Sequence, residues 1–381
     1  MERIVALRFP AFICVALVAL AAIAKPARAE PVLIGVAGPM SGPLAPYGAQ
    51  MIEGVEHAAE QINARGGLGG REVEIVIADD VADPTRVESV TDDLIGRGIF
   101  AVIGHFTSGT SAIAAPRYAD ADILMLTPTA TDPLLTQDGG WNLFRLAPRD
   151  DAQAQVSGRY LATEYAGRRV AVVHDKSAFG KGLADRTRQV MNDLGLEDAL
   201  YSGIDPGESD YGALIRSLAE AQIDALYFGG MAEEAGIILR QMREAGLEAT
   251  FVTGEGAISP QFTESAGDAA EGALMTAALP RDSYDRPLQE SLDATGLEGG
   301  RTALMSFVAL RVLEEARDHV PELEAQAVAQ YLRSGAMLMT EIGPVAFDAQ
   351  GDASLGEYGL FAWRSEPGRD FIDFEGNLVA R

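Results

Sequence analysis

The chain has 381 residues, 48% of them apolar and 23% charged, with a formal net charge of −26. That length suffices for two domains or one large α/β unit. So acidic a surface repels nucleic acid and anionic lipid, which excludes both as expected partners.

Residues 1–29 read as a secretory signal peptide. Arg3 and Arg8 precede the apolar stretch "AFICVALVALAAIA", and Ala-Arg-Ala stands just before Glu30. Cleavage is expected after Ala29, which places the mature protein in the periplasm. It removes one acidic and four basic residues and leaves a charge of −29. The only cysteine, Cys14, lies inside this segment, and the preceding "AFI" lacks the small residues that lipid attachment requires. The mature chain is then expected to have no disulfide and no thiol chemistry. No later stretch is long and apolar enough to span a bilayer.

"VLIGVAGP" (32–39) predicts a strand, followed by a helix with Met51, Val55, Ala58, Ala59 and Ile62 on one face, stopped by "GGLGG" (66–70). "VEIVIADD" (73–80) is the next strand. A helix from about Pro84 turns Val87, Val90 and Leu94 inward, and "IFAVIGHF" (99–106), "DILMLTPT" (122–129) and "NLFRLAP" (142–148) are further strands. After Arg149 the rhythm restarts. Strands "RVAVVHD" (169–175), "ALYSGI", "DALYFGG" (224–230), "ATFVTGEG" (249–256) and "GALMTAAL" (272–279) alternate with helices carrying Val156, Tyr160 and Leu161; Leu183, Val190, Met191 and Leu194; Leu214, Ile215 and Leu218; and Ile238, Leu239 and Met242. The rhythm then breaks. A long helix over about 301–319 has Leu304, Phe307, Val308, Val312 and Ala316 inward, a second spans about 323–333, "GPVAFDAQGDA" (343–353) reads as a hairpin, and "YGLFAWRS" (358–365) as a last strand. Apolar strands alternating with amphipathic helices predict parallel sheets covered on both faces, and two such series predict two doubly wound Rossmann-like lobes.

Open α/β sheets bind ligands beyond the carboxyl ends of their strands. The informative stretches are therefore the strand tips, above all "GHFTSGTS" (104–111), "TPTATDP" (127–133) and "TGEGA" (253–257). Ser108 or Ser111 as a nucleophile would need a base. Of the four histidines, His57 and His319 fall in amphipathic helices, His105 and His174 end strands, and no G-x-S-x-G elbow exists. A phosphate loop fails as well, because "GHFTSGTS" has no lysine before its hydroxyl and "FGKG" (179–182) lacks the spaced upstream glycine. "DDVADP" (79–84) and "DAQGDA" (348–353) lack the ligand sets of zinc or calcium sites and read as acidic turns. No cofactor and no metal is expected. An anion clamp fits better: a helix starting at "GTSAIAA" offers free N–H groups and a positive dipole end, Ser108 adds a hydroxyl, and Thr129 and Thr131 repeat these resources at the next tip. Taken alone, the same hydroxyls read more simply as helix caps. Glu255, between two glycines, is either solvated or the partner of a cation. Opposite an anion clamp it suggests a zwitterionic ligand.

These residues lie within longer blocks: "MSGPLAPYG" (40–48), "INARGGLGGREVEIVIADD" (62–80), "VIGHFTS" (102–108), "ILMLTPTATDPLLT" (123–136), "VAVVHDKSAFGKGLA" (170–184), "YFGG" (227–230), "ILRQMREAGL" (238–247), "GEG" (254–256) and "GPVAFDAQGD" (343–352). In these blocks, over nearly its whole mature length, the chain resembles the leucine/isoleucine/valine-binding periplasmic proteins of ABC importers. The resemblance implies a type I periplasmic binding fold, with two lobes joined by three crossovers near residues 149, 279 and 357. It divides the chain into a signal at 1–29, an N-terminal lobe of 30–149 plus 280–357, and a C-terminal lobe of 150–279 plus 358–381. It further implies a monomer, not an enzyme, that closes over an L-amino acid, most simply a branched-chain aliphatic one, and delivers it to membrane permease subunits. In the family pattern Ser108 and Thr131 hold the ligand carboxylate, the Thr129 carbonyl and Glu255 receive the ammonium, Ala130 belongs to the same clamp, and Tyr47 borders the side-chain pocket. Phe179 and Met231 stand where tyrosines are frequent, which makes the second lobe's wall more apolar. Ala82 and Thr107 stand where the family has a disulfide, so loop rigidity is expected from packing and capping instead. A periplasmic sensor module, or a binder of an aromatic acid, amide or polyamine-like compound, is the alternative.

Overall fold

The computed structural model describes residues 29–137, 140–278, 294–320, 323–355 and 358–363. The expected signal segment, and the crossover positions 279 and 357, lie outside the described residues.

The first lobe is built from β1 (Val32–Gly38), α1 (Ala45–Ala64), β2 (Val73–Asp79), α2 (Val87–Gly96), β3 (Ala101–Gly104), α3 (Ser108–Asp120), β4 (Leu124–Thr127), α4 (Leu134–Gln137) and β5 (Leu143–Arg145). The second contains α5 (Asp150–Glu164), β6 (Val170–His174), α6 (Ala178–Asp193), β7 (Leu200–Gly203), α7 (Gly212–Glu220), β8 (Ala225–Gly229), α8 (Ala232–Glu244), β9 (Thr250–Thr253), α9 (Pro260–Ala266) and β10 (Leu274–Ala278). The remaining elements are α10 (Gly300–His319), α11 (Ala325–Arg333), β11 (Leu338–Thr340), β12 (Gly343–Val345) and β13 (Tyr358–Ala362).

The first sheet has the order β2-β1-β3-β4-β5, with every described pairing parallel. The second has the order β13-β10-β9-β8-β6-β7, parallel except for β13, which runs antiparallel to β10. Read from β7, the parallel part repeats the order of the first sheet. Each lobe therefore has one switch point, between β1 and β3 and between β6 and β8, where loops diverge and leave a crevice. This repetition gives each lobe a crevice of the same kind.

Core packing follows the expected faces. Met51, Val55, Ala58 and Ile62 of α1 are fully buried against Leu304, Phe307 and Val308 of α10, in one cluster with β1 and β3. Each such large apolar side chain contributes about 1.5–3 kcal/mol by leaving water. Gly54 permits the close approach of the two helices, since a Cβ there would lie 2.0 Å from the Ala303 carbonyl oxygen. In this way α10, far along the sequence, belongs to the first lobe's core. The other helices behave similarly, with local differences. Leu194 is exposed because it is the C-cap beyond the last turn of α6. Pro84–Arg86 forms a separate 3-10 turn capped by Asp83, because proline cannot donate within a helix and fits its first positions. The short helix α9 was not expected from the sequence. The expected hairpin at 343–353 turns at Asp348–Gly351, with Asp348 N–H donating to the Asp352 carbonyl, Ser354 N–H to the Ala346 carbonyl and a bridge from Phe347 to Ala353, while its first residues, β12, also pair back onto β11. Among the described residues no helix is long and apolar enough to cross a membrane.

Candidate ligand-binding site

The hydroxyls after β3 and β4 tie two loops together. Thr107 caps α3, accepting from the Thr110 N–H at 3.2 Å, so Ser108 is the first helical residue rather than the residue before the helix. Ser108 Oγ accepts from the N–H groups of Thr131 (3.3 Å) and Asp132 (3.2 Å). Ser111 and Thr127 donate to the His105 carbonyl, and Thr129 donates to the Phe106 carbonyl at 2.6 Å. Neither strand-ending histidine serves a serine hydroxyl: the buried His105 ring lies 2.6 Å from Asp80 and 3.2 Å from the Tyr118 hydroxyl, and His174 Nδ1 accepts from Lys176 N–H at 3.0 Å.

The acidic turn 79–84 is occupied by protein donors. Asp79 accepts from Met40 N–H (2.9 Å) and the Ser41 hydroxyl (2.5 Å), Asp80 holds His105, and Asp83 accepts from Thr85 N–H at 2.9 Å. The Asp80–His105 contact joins the two loops that carry Ala82 and Thr107. A buried polar pair thus supplies a noncovalent tie there, together with the Thr107 cap.

Between the lobes lies a cavity of about 470 Å³. Six expected residues line it: Tyr47, Ser108 and Thr129 from the first lobe, and Phe179, Met231 and Glu255 from the second. Ala130 and Thr131 are buried but are not among the lining residues. The second wall is formed at the tips of β6, β8 and β9. Gly256 is required for its tight packing, since a Cβ there would come within 2.6 Å of the Gly230 carbonyl and 2.7 Å of the Phe179 ring. Phe106, with its ring centroid 5.1 Å from that of Tyr47, also lines the cavity, as do Asp175, Glu234, Arg301 and Met305. Arg301 and Met305 escaped the strand-tip rule because α10 reaches the cavity by packing on α1. Opposite the cleft edge, Arg186 of α6 pairs with Asp132 of the first lobe at 2.8 Å, an ion pair that spans the two lobes.

Two side chains hold Glu255. Its N–H donates to Gln153 Oε1 at 2.9 Å, and its Oε1 accepts from the Tyr358 hydroxyl at 2.9 Å. Burial raises its pKa, while the Arg301 charge and the Tyr358 hydroxyl pull it back. Tyr358, on the antiparallel strand β13, and Gln153, on α5, were not anticipated; both come from segments distant in sequence. Gln153 Oε1 also accepts from the Thr276 hydroxyl at 2.6 Å, and its Nε2 donates to Asp150 at 3.3 Å. At the far side of the cavity, burial raises the pKa of both Asp175 and Glu234, and Glu234 accepts from Gly207 N–H at 3.1 Å.

Asp150 is fully buried, and its Oδ2 has no hydrogen bond of good geometry; the same holds for the Thr131 hydroxyl, which stands near enough to favour the carboxylate. Burial, and next the Glu255 charge, push the Asp150 pKa up to about 8. The folded protein then keeps a proton that the unfolded chain, with an ordinary value of 3.8, has lost. Stability is expected to fall as pH rises from about 4 to about 8, and Asp150→Asn is expected to remove one proton's share of that slope. Urea unfolding of both proteins at pH 5 and pH 8 checks it; parallel slopes would contradict it.

Residues 31–364 match the family described as periplasmic binding protein. Leu/Ile/Val-binding protein homolog 1 of Brucella melitensis is 39% identical over 358 residues, which is 93% of this chain and 96% of that relative. The crystal structure of a leucine-binding protein from Thermotoga maritima superposes with a TM-score of 0.80 at 24% identity, covering 92% of this chain and all 100% of the other. A periplasmic binding protein type 1 from Bordetella pertussis does so with a TM-score of 0.81 at 20% identity, covering 91% and 100%. With the sheet orders and the inter-lobe cavity, these similarities place the chain in the periplasmic binding protein family, with the type I fold.

Proposed function

We propose that this protein is the substrate-binding component of an ABC importer that takes a branched-chain aliphatic L-amino acid into the inter-lobe cavity. The observation that carries this reading is the opposition of Ser108 and the α3 N-terminus on one lobe to the Glu255 carboxylate on the other, across one cavity. A helix N-terminus with a hydroxyl suits a carboxylate, and a buried carboxylate suits an ammonium. Phe179, Met231, Phe106 and Met305 leave apolar room for the side chain. The Brucella relative's name points the same way. The lobes are taken as 30–149 plus 280–357 and 150–279 plus 358–381, and the signal as cleaved after Ala29 for release into the periplasm. The protein acts as a monomer and makes or breaks no bond. The amino acid binds the first lobe, and hinge closure brings Phe179, Met231 and Glu255 onto it. The ligand stabilises the closed form through its extra contacts there, and that form docks on the permease.

Calorimetry against the twenty amino acids tests this. A dissociation constant below about 100 μM for leucine, isoleucine or valine is expected, and binding of none of them at that level overturns the ligand class. Ser108→Ala is expected to weaken leucine and its deaminated analogue 4-methylpentanoate alike, by about tenfold, because each loses the same charge-assisted hydrogen bond.

A further inference from the structure

We propose that Gln153, which does not line the cavity, is a positioning residue for ligand recognition: its side-chain amide fixes Glu255 relative to the loop that carries the anion clamp. This rests on the amino-acid reading above. The amide oxygen accepts from Glu255 N–H at 2.9 Å and from the Thr276 hydroxyl at 2.6 Å, and Nε2 donates to Asp150 Oδ1 at 3.3 Å. A backbone N–H can only donate, so the contact with Glu255 dictates which end of the amide faces it. Gln153, Asp150 and Thr276 are fully buried, and none of the three lines the cavity. Gly254 lets the backbone come down onto the amide, since a Cβ there would stand 2.7 Å from Gln153 Oε1 and 2.6 Å from the Leu183 side chain.

The contacts continue to the first lobe. Asp150 N–H donates to the Thr131 carbonyl at 3.0 Å, and Thr131 N–H donates to Ser108 Oγ at 3.3 Å. Ser108 and Glu255 are therefore joined through Thr131, Asp150 and Gln153 without any contribution from a ligand. The Tyr358 hydroxyl, 2.9 Å from Glu255 Oε1, also lies 3.2 Å from the Pro148 carbonyl. Backbone and side chain of Glu255 are thus both held to the segment 148–153, where the chain passes from one lobe to the other. A carboxylate already in place loses less freedom when an ammonium binds, and so binds it more tightly. Without the Gln153 amide the Glu255 N–H has lost its acceptor. A backbone donor in that position shifts to find another partner, and the carboxylate shifts with it. The loss falls on the ammonium end of the site. An amide that merely packed α5 on its sheet would act on the ligand equally whether or not residue 255 carried a charge.

The test is a double-mutant cycle on leucine binding, with the wild-type protein, Gln153→Met, Glu255→Gln and the double variant, followed by nuclear magnetic resonance so that weak binding is also read. Gln153→Met keeps the length of the side chain and removes the amide. It is expected to weaken leucine at least about tenfold beside Glu255, and less than about threefold in the Glu255→Gln background. Thr276→Val keeps the shape of its side chain and removes one partner of the amide. It is expected to cost about threefold beside Glu255 and nothing measurable in the Glu255→Gln background, and it decides the matter where Gln153→Met does not fold. Equal losses in the two backgrounds overturn the inference, as does undiminished leucine binding by Gln153→Met; both leave the amino-acid reading standing. A wild-type protein that binds no leucine, isoleucine or valine removes that reading, and the inference with it.

Discussion

Glu255→Gln is expected to weaken leucine binding by roughly thirty- to a thousandfold, the about 2–4 kcal/mol lost when one partner of a buried charge pair is removed. The substitution isolates charge from shape. Glutamine has the size of glutamate, and its side-chain oxygen can still accept from the Tyr358 hydroxyl, while the backbone N–H contact to Gln153 is untouched. Burial penalises the carboxylate in the empty site, so thermal stability without ligand is expected to hold or rise. The deaminated analogue 4-methylpentanoate is expected to bind at least as well to the variant, because it gains nothing from a negative Glu255. Calorimetry of the two ligands side by side decides the matter. Equal losses for both would mean that Glu255 shapes the cavity and does not receive an ammonium.

The second large effect is on stability. Arg145→Ala is expected to cost about 3–5 kcal/mol of folding free energy, the range for removing one partner of a buried ion pair. Arg145 is fully buried on β5 and donates to Asp352 at 2.9 and 2.6 Å, to the Thr136 hydroxyl at 2.6 Å and to the Asp132 carbonyl at 2.5 Å. Arg149 reaches the other Asp352 oxygen at 3.4 Å. The arginine thus anchors the acidic turn at 348–353 and the segment next to Thr131. Urea denaturation measures the loss. Combining Arg145→Met with Asp352→Leu is expected to restore much of it, because no unpaired charge is then left buried. A single variant as stable as the wild type would show that the Arg145 cluster holds no more than its desolvation takes away.

Much of the ligand site was legible in the sequence because strand tips are local features. Apolar runs ending in Ser108, Thr129, Phe179, Met231 and Glu255 announce both the strands and the residues just beyond them, and a doubly wound sheet gathers such tips into one crevice. The faces of α1 and α10 were legible for the same kind of reason, since helical periodicity marks the side that must leave water. What the sequence by itself determined, then, was two α/β series of strands and helices and the strand tips that line the cavity.

Only the tertiary structure decided what surrounds those groups. Tyr358 reaches Glu255 from an antiparallel strand 103 residues later in the chain. Arg301 and Met305 enter the cavity because α10 packs on α1. Asp80 takes His105 from 25 residues away, and Asp352 takes Arg145 from 207 residues away. Periodicity records which side of an element is buried. It carries no information about which distant group will share that burial. The cost of an unpaired charge or hydroxyl in a low-dielectric interior is settled only when the two segments meet, and so the electrostatics of the site belong to the fold.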